Sequence, residues 1–256
     1  MTKGFMPKEN HQILFTKNRL KMSKVTVVID GRKIVADTDE TILEVAKNNG
    51  IEILTMCHLK GITDVGACRL CIVELEGSPR LFSACTTHVA DNMVVTTNSE
   101  RIKRYQRITT ELFFAERNHM CAVCVSNGAC ELQNLGYKVG MEAIRYPHLF
   151  PQCDVDTSHD FFVMDHNRCI SCTRCVRVCA EVEGAYNWDV MNRGYHIRII
   201  SDFNTPWGES TTCTSCGKCV QACPTGALWS KSIVQGQQSK HPEMITELVE
   251  RRSMKL

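Results

Sequence analysis

CISCTRCVRVC at residues 169–179 and CTSCGKCVQACP at residues 213–224 decide how this chain folds. Each run spaces four cysteines as C-x2-C-x2-C-x3-C: Cys169, Cys172, Cys175 and Cys179, then Cys213, Cys216, Cys219 and Cys223. Three cysteines at that interval let one tight loop wrap three corners of an iron–sulfur cubane, while the other run supplies the fourth thiolate. One [4Fe–4S] cluster is therefore expected on Cys169, Cys172, Cys175 and Cys223, and another on Cys179, Cys213, Cys216 and Cys219. Pro224 closes the second run as the pattern requires, whereas Ala180 stands at that place in the first. Zinc is the competing reading, but zinc sites favour separated C-x2-C hooks over four cysteines in one run.

Two more groups lie upstream. Cys57, Cys68, Cys71 and Cys85 follow C-x10-C-x2-C-x13-C, close to the plant-type [2Fe–2S] pattern but with a longer first gap. GACRLC at residues 66–71 starts small, so backbone N–H groups can approach anionic sulfur there. The middle group, Cys121, Cys124 and Cys130, supplies three thiolates where a four-iron cluster needs four ligands. Of sixteen cysteines only Cys153 is left over. His119 and Cys153 are thus the two candidates for the missing ligand.

The rest of the chain narrows the class. Among residues 1–23, expected to be a loose extension with Met22 a possible start, the only apolar patch is Ile13-Leu14-Phe15, too short for a signal peptide. No apolar run approaches the roughly 18 residues of a membrane span. A cytoplasmic protein is expected, with cysteines as ligands rather than disulfides. The formal charge of +2 becomes about −5 once fifteen thiolates and four oxidised cores of about +2 are counted, which argues against nucleic-acid binding. Alternation predicts a strand from Lys24, a turn at Gly31-Arg32 and a returning strand over Lys33 to Asp37. A helix follows, with Ile42, Leu43, Val45 and Ala46 inward and Gly50 as its stop. Short strands are expected at Ile72 to Leu75 and Met93 to Thr96. A helix is expected over Ser99 to Asn118, capped by Asn98 or Ser99, with Ile102, Tyr105, Ile108, Leu112 and Phe113 in the core. Glu131 to Met164 reads as a wrapped connection, and the tail as polar but for an amphipathic helix after Pro242. Met244, Ile245 and Leu248 on that helix are expected to dock on a partner subunit.

In this order the motifs resemble the iron–sulfur arm of the NADH-oxidising module of respiratory complex I, the N-terminal part of its large iron–sulfur subunit. The same arm recurs in NAD-linked formate dehydrogenases and some iron-only hydrogenases. The resemblance spans roughly residues 24–230 and is carried by GACRLC (66–71), CAVC (121–124), GACELQ (128–133) and both four-cysteine runs. It implies an α+β chain: a β-grasp [2Fe–2S] ferredoxin-like domain (24–98), a helical His/Cys3 cluster segment with its connection (99–160), a bacterial-type two-[4Fe–4S] ferredoxin domain (161–230) and a tail (231–256). It also implies His119 as the fourth ligand beside Cys121, Cys124 and Cys130. The family spacing is H-x3-C, however, whereas here it is H-x-C with Arg117 at the x3 position.

The sequence ends soon after the last motif, where those larger proteins continue into a catalytic domain. In length it is similar to the small iron–sulfur diaphorase subunit of bidirectional NAD(P)-linked [NiFe]-hydrogenases of cyanobacterial type. That resemblance implies a non-catalytic electron relay with one [2Fe–2S] and three [4Fe–4S] clusters. The implied partners are an FMN/NAD(P)-binding flavoprotein, a thioredoxin-like [2Fe–2S] subunit, and the small and large [NiFe]-hydrogenase subunits. The equivalent subunit of a formate dehydrogenase or complex I-like enzyme is the alternative. The sequence has neither G-x-G-x-x-G after a strand nor G-x4-G-K-[ST], so FMN and NAD(P) are expected on a partner.

Overall fold

The computed structural model describes residues 23–254. The expected extension, Met22 included, lies outside them except for Ser23. From β1 (Lys24–Ile29), Val25, Val27 and Ile29 turn inward; from β2 (Arg32–Asp37), Ile34 and Ala36 do so. Successive strand residues face opposite sides, so the alternation builds one apolar face. The hairpin turns on Asp30 and Gly31, at φ 47° and 79°, a pair that matches the right-handed twist of the strands. This is one residue earlier than expected, because Arg32 already pairs with Ile29.

Three further strands, β3 (Ile72–Leu75), β4 (Leu81–Ser83) and β5 (Val94–Thr96), complete a five-stranded sheet in the order β2-β1-β5-β3-β4. β1 and β5 run parallel; the other pairs are antiparallel. Helix α1 (Ile42–Asn48) starts at a Thr41–Glu44 capping box and buries Ile42, Leu43, Val45 and Ala46, as expected. Burial stabilises each large aliphatic side chain by about 1.5–3 kcal/mol.

Helix α2 (Glu100–Ala115) is capped by Ser99, whose hydroxyl accepts the Ile102 N–H. Its buried face differs from the expected apolar stripe. Ile102 is inside, but Tyr105 and Leu112 are exposed, and Gln106, Thr110 and Glu111 are buried in their place. Gln106 donates to the Leu70 carbonyl, and Glu111 pairs with Arg107 and Arg145. Those partners satisfy the polar groups that burial would otherwise penalise.

The stretch Glu131 to Met164 is more ordered than a connection. It contains α3 (Glu131–Lys138), burying Leu132 and Leu135, and two strands, β6 (Val155–Asp156) and β7 (Phe162–Asp165). Then follow α4 (Arg174–Arg177), the hairpin β8 (Trp188–Met191) with β9 (Arg198–Ser201), α5 (Lys218–Ala222) and β10 (Leu228–Ser230). β10, β7 and β6 form an antiparallel sheet in that order.

The last helix, α6 (Glu243–Ser253), corrects the docking expectation. Ile245 is 1% exposed and packs with Leu59, Ile62, Val178, Val182 and Ala222 of its own chain. Met244 is half exposed, but the apolar anchor is already used. Among the described residues no helix is long and apolar enough to cross a membrane.

Candidate metal centres

Cys57, Cys68, Cys71 and Cys85 are all buried beside the first sheet. Their sulfurs fall into two pairs. Cys71 Sγ and Cys85 Sγ lie 3.4 Å apart, and the Cys57 and Cys68 thiols shift each other's titration in opposite directions. Two thiolates on one tetrahedral ion with bonds of about 2.3 Å would stand about 3.8 Å apart. The Cys57 contact and the backbone N–H groups of Leu70, Cys57 and Met56 pull Cys68 down to about 6. The Cys85 contact likewise lowers Cys71, while Cys57 and Cys85 are pushed up by the same shared bonds. The loop owes its close approach to left-handed backbone at Gly66 and Arg69, at φ 59° and 54°.

His119, Cys121, Cys124 and Cys130 line one pocket at the start of α3. His119 Nε2 is buried and has no hydrogen-bond partner. With the ring neutral and its proton on Nδ1, Nε2 presents a free lone pair. Burial, with the charges of Arg168 and Arg117, holds His119 down to about 4, so the ring is neutral and able to ligate. Burial pushes Cys130 up to about 11 and raises Cys121. Gly226 roofs the cavity, where a Cβ would collide with Cys124 Sγ. Cys153, the other candidate, lies elsewhere, in a cleft with Arg117, Asp154, His166 and Tyr195.

Cys169, Cys172, Cys175 and Cys223 line a second pocket together with Ile170, Ile199 and Leu228. Cys179 instead lies near Cys213, Cys216 and Cys219: burial first, then the charges of Cys216 and Cys213, raise Cys179, and burial with the charges of Cys216, Cys179 and Cys213 raises Cys219. The structure thus groups the two runs crosswise. Ser171 and Thr173 in the first loop, like Ser215 and Gly217 at matching places in the second, are left-handed at φ 53–70°. Such turns curl a backbone about a centre and aim its N–H groups inward. Ser171 N–H donates to Cys169 Sγ at 3.4 Å, Asn187 N–H to Cys179 Sγ at 3.3 Å, and Trp207 Nε1–H to Cys213 Sγ at 3.2 Å.

Burial pushes Cys169 and Cys219 up to about 12 and Cys172 to about 11. Cationic iron would hold them as thiolates. Burial raises Cys223 too, but the Lys240 charge and the Thr225 N–H outweigh it and bring it below the ordinary value. Lys240 Nζ donates to the Cys223 carbonyl at 2.8 Å. The residues therefore fit iron–sulfur clusters at all four places. Among the described residues no three His, Cys, Asp or Glu side chains converge on a single ion.

The sites are neighbours. Cys57, Cys68 and Cys130 share one apolar cluster with Leu70 and Leu132, and Cys172 packs against it. Arg174 forks onto the Glu131 carboxylate at 2.7 and 2.9 Å, joining the residue after Cys130 to the one before Cys175. Arg174, Gly226, Trp207 and Lys240 went unmarked in the sequence; only Glu131, adjacent to Cys130, carried a positional signal.

Three family models match in succession: "2Fe-2S iron-sulfur cluster binding domain" over residues 22–100, "NADH-ubiquinone oxidoreductase-G iron-sulfur binding region" over 106–145, and "NADH-quinone oxidoreductase subunit 3, ferredoxin-like domain" over 160–229. The architecture is accordingly a mixed α/β chain with an N-terminal 2Fe–2S ferredoxin-like domain and 4Fe–4S ferredoxin-like regions after it. NADPH-Fe(3+) oxidoreductase subunit alpha of Geobacter sulfurreducens is 39% identical over 81% of this chain, which spans only 24% of that protein. NAD-reducing hydrogenase HoxS subunit gamma of Cupriavidus necator is 30% identical over 82% of this chain and 88% of its own length. A chain in the crystal structure of an NAD+-reducing [NiFe]-hydrogenase in the H2-reduced state superposes with a TM-score of 0.76. It is 32% identical, over 81% of this chain and 88% of that one.

Proposed function

We infer the role of this chain from one premise: it belongs to the family of gamma subunits of NAD-reducing hydrogenases. It is an electron-transfer iron–sulfur subunit related to the hydrogenase and diaphorase complexes of that family. We propose that it relays electrons between an FMN- and NAD(P)-binding flavoprotein and the small and large subunits of a [NiFe]-hydrogenase, with a thioredoxin-like [2Fe–2S] subunit as a further partner. The proposed ligands are Cys57, Cys68, Cys71 and Cys85 for a [2Fe–2S] cluster. His119, Cys121, Cys124 and Cys130 would hold one [4Fe–4S] cluster, and the two crosswise sets, Cys169/172/175/223 and Cys179/213/216/219, would hold the others. When bound, the clusters supply one-electron redox chemistry. The chain holds the sulfurs, donates N–H groups to them and keeps water out.

The observation that carries this reading is the shared apolar cluster joining ligand residues of three sites. A protein binding each metal only for stability has no need to pack the sites against one another. The NADPH-Fe(3+) oxidoreductase relative favours a second reading, the same relay in another NAD(P)-linked enzyme. Anaerobic purification of the native complex, with metal analysis and mass spectrometry of its subunits, tests both. The expected result is about 14 irons per chain and a [NiFe] large subunit. A molybdenum enzyme in its place supports the equivalent subunit of a formate dehydrogenase, and stoichiometric zinc with little iron ends the cluster reading.

A further inference from the structure

The short helix α4 carries two arginines of different character. Arg174 is neutralised by its fork onto Glu131. Arg177 is 7% exposed, yet every hydrogen bond it makes goes to a neutral carbonyl. Its Nη2 donates to the carbonyls of Cys57 at 2.6 Å and Cys172 at 3.1 Å, and its Nη1 to that of Thr63. Its buried Nε has no partner. Carbonyls satisfy N–H groups but do not cancel a charge, and a buried cation without an anion is strongly unfavourable. Glu181 accepts the Thr63 N–H but forms no ion pair with Arg177; the sites that would carry anionic clusters lie on both sides, since Cys57 belongs to the proposed two-iron site and Cys172 to the adjoining four-iron site.

We propose that Arg177 is the positioning residue between these two sites. One guanidinium nitrogen ties the backbone of a ligand in each, fixing their spacing, and the uncancelled charge favours the reduced state at both. The inference rests on the cluster reading above. In the step it assists, one electron leaves the two-iron site and one arrives at the four-iron site, or the reverse. No bond forms or breaks, and Arg177 keeps its proton throughout.

The test uses Arg177→Gln and Arg177→Lys in the native complex, with iron counted and each cluster titrated by EPR. At an effective dielectric of about 20, a unit charge at about 10 Å changes a one-electron equilibrium by more than tenfold. Arg177→Gln with full iron should therefore lower the reduction constant of both clusters at least tenfold, about 59 mV each. Arg177→Lys, which keeps the charge, should hold both within tenfold of wild type. A smaller change at either cluster in Arg177→Gln overturns the proposal. If that variant does not load its iron, Arg177→Lys decides alone: constants held within tenfold support the proposal, and a larger loss overturns it. Wild-type protein lacking the two-iron and four-iron signals would instead sink the cluster reading, separately from the role of Arg177.

Discussion

Replacing His119 with alanine separates a ligand from a merely structural histidine. Deleting a buried ring costs about 2–4 kcal/mol in lost packing and cavity. Its edge-on contact with Phe114, ring centroids 5.3 Å apart, adds about 0.5–1.5 kcal/mol. Against this, His119 Nε2 is buried without a partner, and removing such an atom relieves about 1–3 kcal/mol. In protein stripped of metal the substitution should therefore lower stability by only about 1–3 kcal/mol. In loaded protein the effect should be chemical. One corner of the middle cluster loses its protein ligand, and iron falls from about 14 to about 13 per chain with a three-iron EPR signal. Added imidazole, able to enter the space left by the ring, should restore the count, and Cys153→Ser should leave it at about 14. Iron and sulfide analysis, EPR of the isolated protein and urea unfolding of the stripped chain measure these effects. Full iron and a wild-type spectrum in His119→Ala would refute the assignment and leave the orphaned nitrogen without a purpose.

His166 is 8% exposed, and burial, with the Arg198 charge, holds it down to about 4. An unfolded histidine takes up its proton near 6.5, so below that pH the unfolded chain binds more protons and stability falls as pH drops toward 4. The group should contribute about 2 kcal/mol less at pH 5 than at pH 7; urea unfolding at both values, compared with His166→Gln, should show the variant to be the less pH-sensitive. Ile245→Ala should cost the chain itself about 2–5 kcal/mol. If melting of the isolated chain is unmoved while complex assembly fails, α6 serves docking rather than the core.

What the sequence made legible was local. Cysteines two residues apart reach one cluster whatever the rest of the chain does, so the runs beginning at Cys169 and Cys213 could be grouped crosswise from spacing alone, as the structure groups them. Strand alternation at Val25, Val27 and Ile29 was legible for the same reason. Helix α2 was misread because its buried Gln106 and Glu111 are satisfied by Leu70 and Arg145, far away in the chain. An apolar stripe cannot reveal that a polar face has found distant partners. Helix α3 was missed because its eight residues give barely two turns of periodicity, too few for a pattern.

The same division separates ligand identity from inter-site spacing. Three cysteines of each site come from one short stretch of chain, but nothing in those stretches says how far one site lies from the next. That is set by polar contacts between residues remote in sequence: Arg174 with Glu131, Arg177 with Cys57, and Lys240 with the Cys223 carbonyl. Arg177 and Lys240 put a cation beside ligand-bearing backbone, while Arg174 meets the carboxylate of Glu131, the residue after Cys130. A relay depends on spacing as much as on ligands, since a misplaced cluster still binds iron but passes electrons poorly. Substitutions at these three cations should therefore impair electron transfer before they reduce iron content, the opposite order from any loss of cysteine.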